Sequence, residues 1–139
     1  MKQTVNVLVV EDNEYYNYLI FNALQQSAHF IQREMQYKLV LHSFTDFTEC
    51  VKRIESREFT GNDLVAFVDN NLGNGNNGAE IIKLLKKENS KTLAVLLSQS
   101  HITERRNAIN DYDFLVIKDT FAPALCRLYL DQYIENKFL

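Results

Sequence analysis

Short apolar runs rich in β-branched residues alternate with longer stretches of helical periodicity along this chain. Most of the runs lack the in-and-out alternation of a strand that faces water on one side, which is typical of strands buried on both faces. The predicted strands are Val5 to Val10, Lys38 to Leu41, Leu64 to Val68, Thr92 to Leu97 and Phe114 to Ile117. We therefore expect a sheet that is covered on both sides.

The stretches that follow the strands have the spacing of amphipathic helices. The predicted helices run from Glu14 onward, over Asp46 to Arg57, Gly78 to Asn89 and Ile102 to Asn110, and from Phe121 to the end. Neighbouring parallel strands need a crossover connection, and a helical crossover is right-handed. The repeated strand–helix order therefore predicts a doubly wound α/β domain, (βα)5, with a parallel five-stranded sheet.

Size and composition predict an ordinary globular protein with a single domain over residues 1–139. The hydrophobic fraction is 46% and the charged fraction is 24%, as in typical globular chains. A net charge of −3 without a dense Lys/Arg run argues against direct binding of nucleic acid or of anionic membranes. Charge interrupts the first apolar run too early for a signal peptide or membrane insertion, which predicts a cytoplasmic protein. Cys50 and Cys126 match no metal-ligand spacing and are expected to be buried free thiols.

Polar side chains follow four of the predicted strands at the point where each strand ends. Glu11 and Asp12 follow the first strand, Asp69 the third, Ser98 the fourth and Lys118 the fifth. Because parallel strands end at the same edge of a sheet, we expect these side chains to converge where open α/β sheets bind ligands. One such residue at a strand end is usually a plain turn residue, whereas five together predict a functional site.

The residue types at the strand ends fit phosphoryl chemistry at a metal ion. Neighbouring carboxylates raise one another's pKa unless a cation offsets their charge. Mg²⁺ prefers oxygen ligands and binds through one or two carboxylates plus a phosphate, so Glu11, Asp12 and Asp69 are the predicted ligands. Asp69 lies between the other strand ends and is the predicted nucleophile, while Ser98 and Lys118 would stabilise charge on the phosphoryl oxygens.

The segment after the third strand, NNLGNGNNG over Asn70 to Gly78, holds three of the four glycines and no charge. This composition predicts a turn-rich loop that tolerates positive φ. Asn77 is expected to cap the next helix, with Glu80 three residues later in a variant of the capping box.

The motifs at the strand ends resemble those of the response-regulator receiver domains, over nearly the whole chain. VLVVEDN is similar to that family's acidic-pair strand, and LVAFVDNNLGNGNNGAEIIKLLK to its phospho-acceptor strand, loop and third helix. LAVLLS matches the strand that ends in a hydroxyl residue, and DFLVIK the strand that ends in a lysine. The resemblance implies a flavodoxin-like, CheY-like fold of strand order 2-1-3-4-5. It assigns the phospho-acceptor role to Asp69, phosphoryl-binding roles to Ser98 and Lys118, and a metal-ligating backbone carbonyl to Asn71.

The same resemblance implies a receiver in a two-component system or phosphorelay, and a chain of one domain's length is expected to be a stand-alone receiver without an effector domain. A histidine kinase or a histidine phosphotransfer protein would donate the phosphoryl group to Asp69 with Mg²⁺. The chain would then signal to a downstream protein target through a conformational change. Such a protein is a phospho-acceptor, with self-phosphorylation and self-dephosphorylation, and is not a turnover enzyme. The resemblance also makes a dimer through the face of the fourth and fifth predicted helices a candidate assembly.

Three residues near the predicted site depart from the family's pattern. Asp119 follows the lysine where the family has proline, often with a cis bond, and we expect a trans bond because a non-proline cis bond costs about 3 kcal/mol. Leu115 stands where the family has its switch aromatic, and Phe114 precedes it on the opposite strand face unless a bulge intervenes. Gln99 stands where a small residue is usual, which predicts altered access of the phosphodonor or an altered phosphate lifetime.

Two segments differ from the family in length. The acceptor loop lacks the usual proline at Gly73 and carries about one extra residue before Gly78, which predicts a more mobile loop. Residues 1–60 contain neither Gly nor Pro, and apolar residues keep helical spacing from Ile20 to Met35, so the first helix is expected to be unusually long. The added residues near 25–36 have no counterpart in the family and predict a partner-specific surface.

Two other functional classes stay open at this point. A phosphorylation-independent interaction module would keep the fold and its acids but act through contacts alone, as the departures at Asp119 and Leu115 permit. An enzyme that hydrolyses phosphoesters through an aspartate nucleophile would generally carry a second acid two residues after Asp69, where this chain has Asn71. The receiver interpretation is preferred because all five functional residue types are present.

Overall fold

Strands and helices alternate throughout the computed structural model, which describes residues 3–34, 37–99 and 111–138, without the side chains of 28–34. The strands are β1 (Gln3–Val10), β2 (Tyr37–Phe44), β3 (Asp63–Asp69), β4 (Leu93–Ser98) and β5 (Phe114–Ile117). The helices of the described part are α1 (Glu14–Glu34), α2 (Phe47–Glu55), α3 (Gly78–Glu88) and α4 (Ala122–Phe138). The helix predicted from Ile102 to Asn110 lies outside the described residues.

The five strands form one parallel sheet in the order β2-β1-β3-β4-β5. This order confirms the arrangement implied by the resemblance. The inner strands β1, β3 and β4 are almost wholly buried, as their lack of alternation predicted. The edge strand β2 is partly exposed and runs beyond the predicted Leu41, because it stays paired with β1 as far as Phe44.

Two hydrophobic cores cover the two faces of the sheet. Successive side chains of a strand point to opposite faces. In β1, Val5, Val7 and Val9 belong to the core beneath α1 and α4, whereas Leu8 and Val10 belong to the core beneath α2 and α3. The helices are therefore placed on both faces, as expected for a doubly wound sheet.

Both cysteines are buried free thiols, as predicted. Cys126 of α4 packs in the first core and Cys50 of α2 in the second. Burial raises the pKa of each thiol to about 12, so neither is a thiolate nucleophile at neutral pH.

Helix α1 is long, with 21 residues over Glu14–Glu34, and confirms the predicted extent of the first helix. At 1.5 Å per residue it measures roughly 30 Å. Ile20 and Leu24 bury its inner side in the first core. No described helix, including α1, combines the length and the hydropathy needed to cross a membrane.

The packing of α4 can be tested with two leucines of that helix. Leu130 is fully buried, whereas Leu128 is 50% exposed. We expect Leu130→Ala to lower the free energy of unfolding by about 2–5 kcal/mol, because it leaves a cavity in the core. The matched control, Leu128→Ala, should lower it by about 1 kcal/mol or less. Urea titration followed by circular dichroism measures both changes, and equal losses would contradict the described burial.

Candidate functional site

The pairing register of the inner strands places the predicted strand ends side by side. Asp69, the last residue of β3, pairs with Leu97 of β4, so Ser98 lies one residue further along the edge. On the other side of β3, Val68 pairs with the last residue of β1, so Glu11 follows at the level of Asp69. The carboxyl ends of β1, β3 and β4 therefore share one short stretch of the sheet edge.

The lysine after β5 joins the acids of β1 and β3. Lys118 Nζ lies 2.5 Å from Glu11 Oε1 and 3.2 Å from Asp69 Oδ2. Glu11 is fully buried and Asp69 is 4% exposed. All three residues continue the alternate positions of their strands that face α1 and α4, so the alternation of the sheet turns them toward one another.

Three carboxylates form one cluster at this edge. Glu11, Asp12 and Asp69 each offer an oxygen, and these oxygens lie within 4.8 Å of one another. This geometry confirms the predicted gathering of the acids. Glu11 Oε1 is buried and receives no well-directed hydrogen bond from the described residues, although it is ion-paired with Lys118. Three oxygen ligands with spare acceptor capacity and an excess of negative charge fit a hard divalent cation such as Mg²⁺.

Burial and close contact shift the pKa of several site residues. Burial, together with the neighbouring Asp69, raises the pKa of Glu11 to about 7, against the opposing effect of Lys118. Burial and the nearby Glu11 also raise the pKa of Asp12. For Lys118, burial lowers the pKa, but the contacts with Glu11 and Asp69 outweigh burial and the net shift is upward. Without a metal, Glu11 therefore takes up a proton at a higher pH than an ordinary glutamate does.

A buried amide that the sequence analysis missed ties the end of β1 to the end of β2. Asn17 Nδ2 donates to the carbonyl oxygens of Glu11 and Phe44, both at 3.1 Å, and Asn17 Oδ1 accepts from the Ser43 hydroxyl at 2.6 Å. Asn17 is 3% exposed, so these bonds are shielded from water. The only sequence signal is a polar residue three positions before Ile20, on the apolar side of α1. Asn17 thereby fixes the backbone that carries Glu11.

The loop from Asn70 to Gly78 is closed by an Asn–Gly turn. Asn74 and Gly75 have positive φ values of 52° and 79°, and Asn76 N donates to Gly73 O across them at 2.9 Å. Two positive-φ residues in a two-residue turn match type I′, which Asn–Gly favours. Behind the turn, Leu72 N donates to Asn76 O at 3.1 Å. The predicted positive-φ turns are confirmed, and the loop takes the form of a miniature hairpin.

Two glycines allow the loop to approach the acids closely. A Cβ at Gly78 would lie 2.1 Å from Asp69 O, so no side chain fits there. A Cβ at Gly73 would lie 3.3 Å from Asp12 Oδ2. Asn71 N donates to Asp69 Oδ1 at 3.4 Å. Helix α3 then starts at the predicted cap, Asn77, whose side chain accepts from the third helical N–H at 3.1 Å.

The turn after β5 is trans, as predicted, and is organised by Asp119. Asp119 N donates to Ile117 O at 2.9 Å. The Asp119 carboxylate accepts from Phe121 N at 2.9 Å, and its carbonyl accepts from Ala122 N at 3.2 Å. These bonds cap α4. With a trans bond at this turn, Lys118 still reaches Glu11 and Asp69.

Strand β5 keeps its register and turns its aromatic away from the second core. The β4–β5 pairing is continuous from Phe114 to Ile117, so no bulge corrects the strand face. Phe114 stacks on Tyr129 of α4 with a centroid distance of 4.4 Å, whereas Leu115 is partly buried and packs against the second core. Gln99 is exposed. The predicted change of face at Phe114 is confirmed.

The role of Asn17 can be tested by truncation. We expect Asn17→Ala to lower the free energy of unfolding by about 2 kcal/mol, because the buried Glu11 carbonyl loses its donor. The control on the same helix is Asn22→Ala, which should change stability by about 0.5 kcal/mol or less. Urea titration of both variants measures the difference. An Asn17→Ala protein as stable as the wild type would contradict a structural role for the Asn17 hydrogen bonds.

Protons and a divalent cation should compete for the carboxylate cluster. Because the pKa of Glu11 is raised to about 7, we expect the Mg²⁺ dissociation constant to increase roughly tenfold between about pH 8 and about pH 6. Without metal, the same shift should make the fold less stable as the pH rises from the ordinary 4.5 of Glu11 toward 7, since the folded chain holds the proton. Calorimetric Mg²⁺ titrations measure the affinity. Glu11→Gln should lose most of the pH dependence and Asp63→Asn, at the other end of β3, should retain it; an affinity independent of pH would contradict the competition.

Comparison with known proteins places the fold among the receiver domains. No protein-family model and no curated protein matches the chain. The response regulator DrrB of Thermotoga maritima is similar in structure, with a TM-score of 0.68 and 18% identity over 99% of this chain and 54% of DrrB, so the chain spans about half of that protein. TrrA of the same organism, in complex with Mg²⁺–BeF, has a TM-score of 0.66 and 19% identity over 98% of both chains. A receiver protein of Sinorhizobium medicae has a TM-score of 0.71 and 12% identity over 95% of both chains. The chain therefore has the fold of the response-regulator receiver domains.

Proposed function

We propose that this chain is a receiver domain that accepts a phosphoryl group on Asp69 in the presence of Mg²⁺. The observation that carries the proposal is the contact of Lys118 Nζ with Asp69 Oδ2 at 3.2 Å inside a cluster of three carboxylates. The Lys118 side chain is only 10% exposed, and an ammonium largely shielded from water beside a buried carboxylate is suited to offset charge that develops on a transferred phosphoryl group. The side chains of Glu11, Asp12 and Asp69 would hold the metal, with the Asn71 carbonyl as a further ligand.

In the proposed transfer, a carboxylate oxygen of Asp69 attacks the phosphorus of a partner's phosphohistidine. The N–P bond breaks, the imidazole leaves with the bonding electrons and takes up a proton, and an acyl phosphate forms on Asp69. Bound Mg²⁺ would neutralise part of the charge on the phosphoryl oxygens. Lys118 stays an ammonium throughout, because its ion pairs keep its pKa raised. Glu11 holds that ammonium in place at 2.5 Å.

The signalling step is assigned to Ser98 and the edge around it. Ser98 is buried at the end of β4, and its carbonyl accepts from Lys118 N at 2.8 Å. A hydroxyl that turns toward a phosphoryl group on Asp69 would favour one of two conformations of this edge. The output would be a protein contact with a downstream target, and a dimer through the α4 side is a second form of output.

The donor is proposed to be a histidine kinase or a histidine phosphotransfer protein of a cytoplasmic two-component pathway. We propose that the chain is a phospho-acceptor and not a turnover enzyme. Position 71 supports this, since it holds an asparagine where a phosphohydrolase of this kind would generally supply a second acid. Self-dephosphorylation of Asp69 would end the signal.

The proposal is tested by phosphorylation from a small donor. We expect the purified chain to gain the mass of one phosphoryl group from acetyl phosphate with Mg²⁺, and to gain none with EDTA. Asp69→Asn should abolish the gain, because it removes the nucleophile. Asp63→Asn, at the opposite end of the same strand, is the matched control and should retain it. Intact-mass spectrometry measures all four samples; no gain in the wild-type chain, or an undiminished gain in Asp69→Asn, would refute the assignment.

A second candidate function is a phosphorylation-independent interaction module. Phe114 favours it, because this aromatic stacks on Tyr129 beneath α4 and the regular β5 register gives no aromatic on the face of Leu115. A receiver-like module of this type would bind its target equally well with or without a phosphoryl group. Partner capture with wild-type and Asp69→Asn chains, with and without acetyl phosphate, separates the two functions.

A further inference from the structure

An aromatic ring of α1 contacts the same ammonium that pairs with the acids. Lys118 Nζ lies 4.8 Å from the centre of the Tyr16 ring. An ammonium within about 6 Å of a ring centre is attracted by the negative face of the ring. The ammonium is therefore enclosed by Glu11, Asp69 and Tyr16.

Tyr16 also contacts the backbone that follows the lysine. Its hydroxyl donates to Asp119 O at 3.4 Å. Asp119 organises the trans turn that delivers Lys118, so one side chain reaches both the ammonium and the turn behind it. Burial raises the pKa of Tyr16 to about 12, and its hydroxyl stays a donor at neutral pH.

The ring is held by its own surroundings. Tyr16 N donates to Asn13 Oδ1 at 2.8 Å, which caps the first turn of α1. The ring packs against the first core. The next residue, Asn17, is tied to the ends of β1 and β2. Tyr16 is thus fixed relative to the strand that carries Glu11.

We propose that Tyr16 is a positioning residue that holds the Lys118 ammonium between Glu11 and Asp69. A lysine side chain has a flexible four-carbon stem, and a ring on one side removes rotamers that would carry the ammonium away from the acids. The contact itself is independent of phosphorylation. Its effect on the rate of phosphoryl transfer rests on the function proposed above.

The contact is tested directly by NMR of the lysine methylene next to the ammonium, in ¹³C-lysine-labelled protein. A ring above this group shifts its proton resonances upfield, so Lys118 should stand apart from the exposed lysines. Tyr16→Phe keeps the ring and should keep the shift, whereas Tyr16→Leu should move the resonances to the exposed-lysine position. The control is Tyr15→Leu, one residue away and 71% exposed, which should change nothing.

The consequence is tested by the rate of phosphoryl incorporation from acetyl phosphate with Mg²⁺. We expect Tyr16→Leu to be about tenfold slower than wild type, equivalent to about 1.4 kcal/mol, and Tyr16→Phe to lie within about threefold of wild type. Tyr15→Leu should match wild type. An unchanged Lys118 resonance in Tyr16→Leu overturns the proposal, whether or not the rate of phosphoryl incorporation falls. An unchanged rate of incorporation in Tyr16→Leu also overturns it. If the wild-type chain takes up no phosphoryl group, the proposed function fails, while the resonance test still decides whether Tyr16 holds Lys118.

Discussion

The ion pairs of Lys118 with Glu11 and Asp69 are the interaction on which the functional edge of this protein depends. Removing an ammonium and two carboxylates from water carries a large desolvation penalty, and such groups often contribute little net stability. Removing the lysine alone would leave two buried carboxylates in contact without a counter-charge. The arrangement is therefore explained better by chemistry at the sheet edge than by folding, and the surplus of negative charge explains why a cation fits.

Several constraints hold the charged groups at this edge. Asn17 donates a hydrogen bond to the backbone carbonyl of Glu11. Gly78 lets the backbone pass close to Asp69, where a side chain would not fit. Asp119 closes the turn that follows Lys118. None of these residues contributes a charged group to the carboxylate cluster or its lysine. Their common effect is to limit the movement of the groups that do, and electrostatic stabilisation of a reacting group depends on such fixed positions.

Strand β5 departs from the pattern that the family resemblance predicts near the site. Phe114 stacks on Tyr129 on the α4 side, and the partly buried Leu115 packs against the second core. On the face of Leu115, the described residues of β5 therefore offer an aliphatic side chain and no aromatic ring. Tyr16, which contacts both Lys118 and that turn, links the edge to α1.

The layered α/β fold, the extent of α1 and the set of residues at the strand ends could all be predicted from the amino-acid order. These features follow from local rules, since apolar periodicity selects the elements and the polarity of parallel strands sends Glu11, Asp69 and Ser98 to one edge. The strand order came only from a family resemblance. Only the three-dimensional packing shows that Tyr16 faces Lys118, that Asn17 bridges β1 and β2, and that the loop backbone at Gly73 lies close to Asp12. These contacts join residues of different elements, so they depend on register and packing distances that no local pattern encodes.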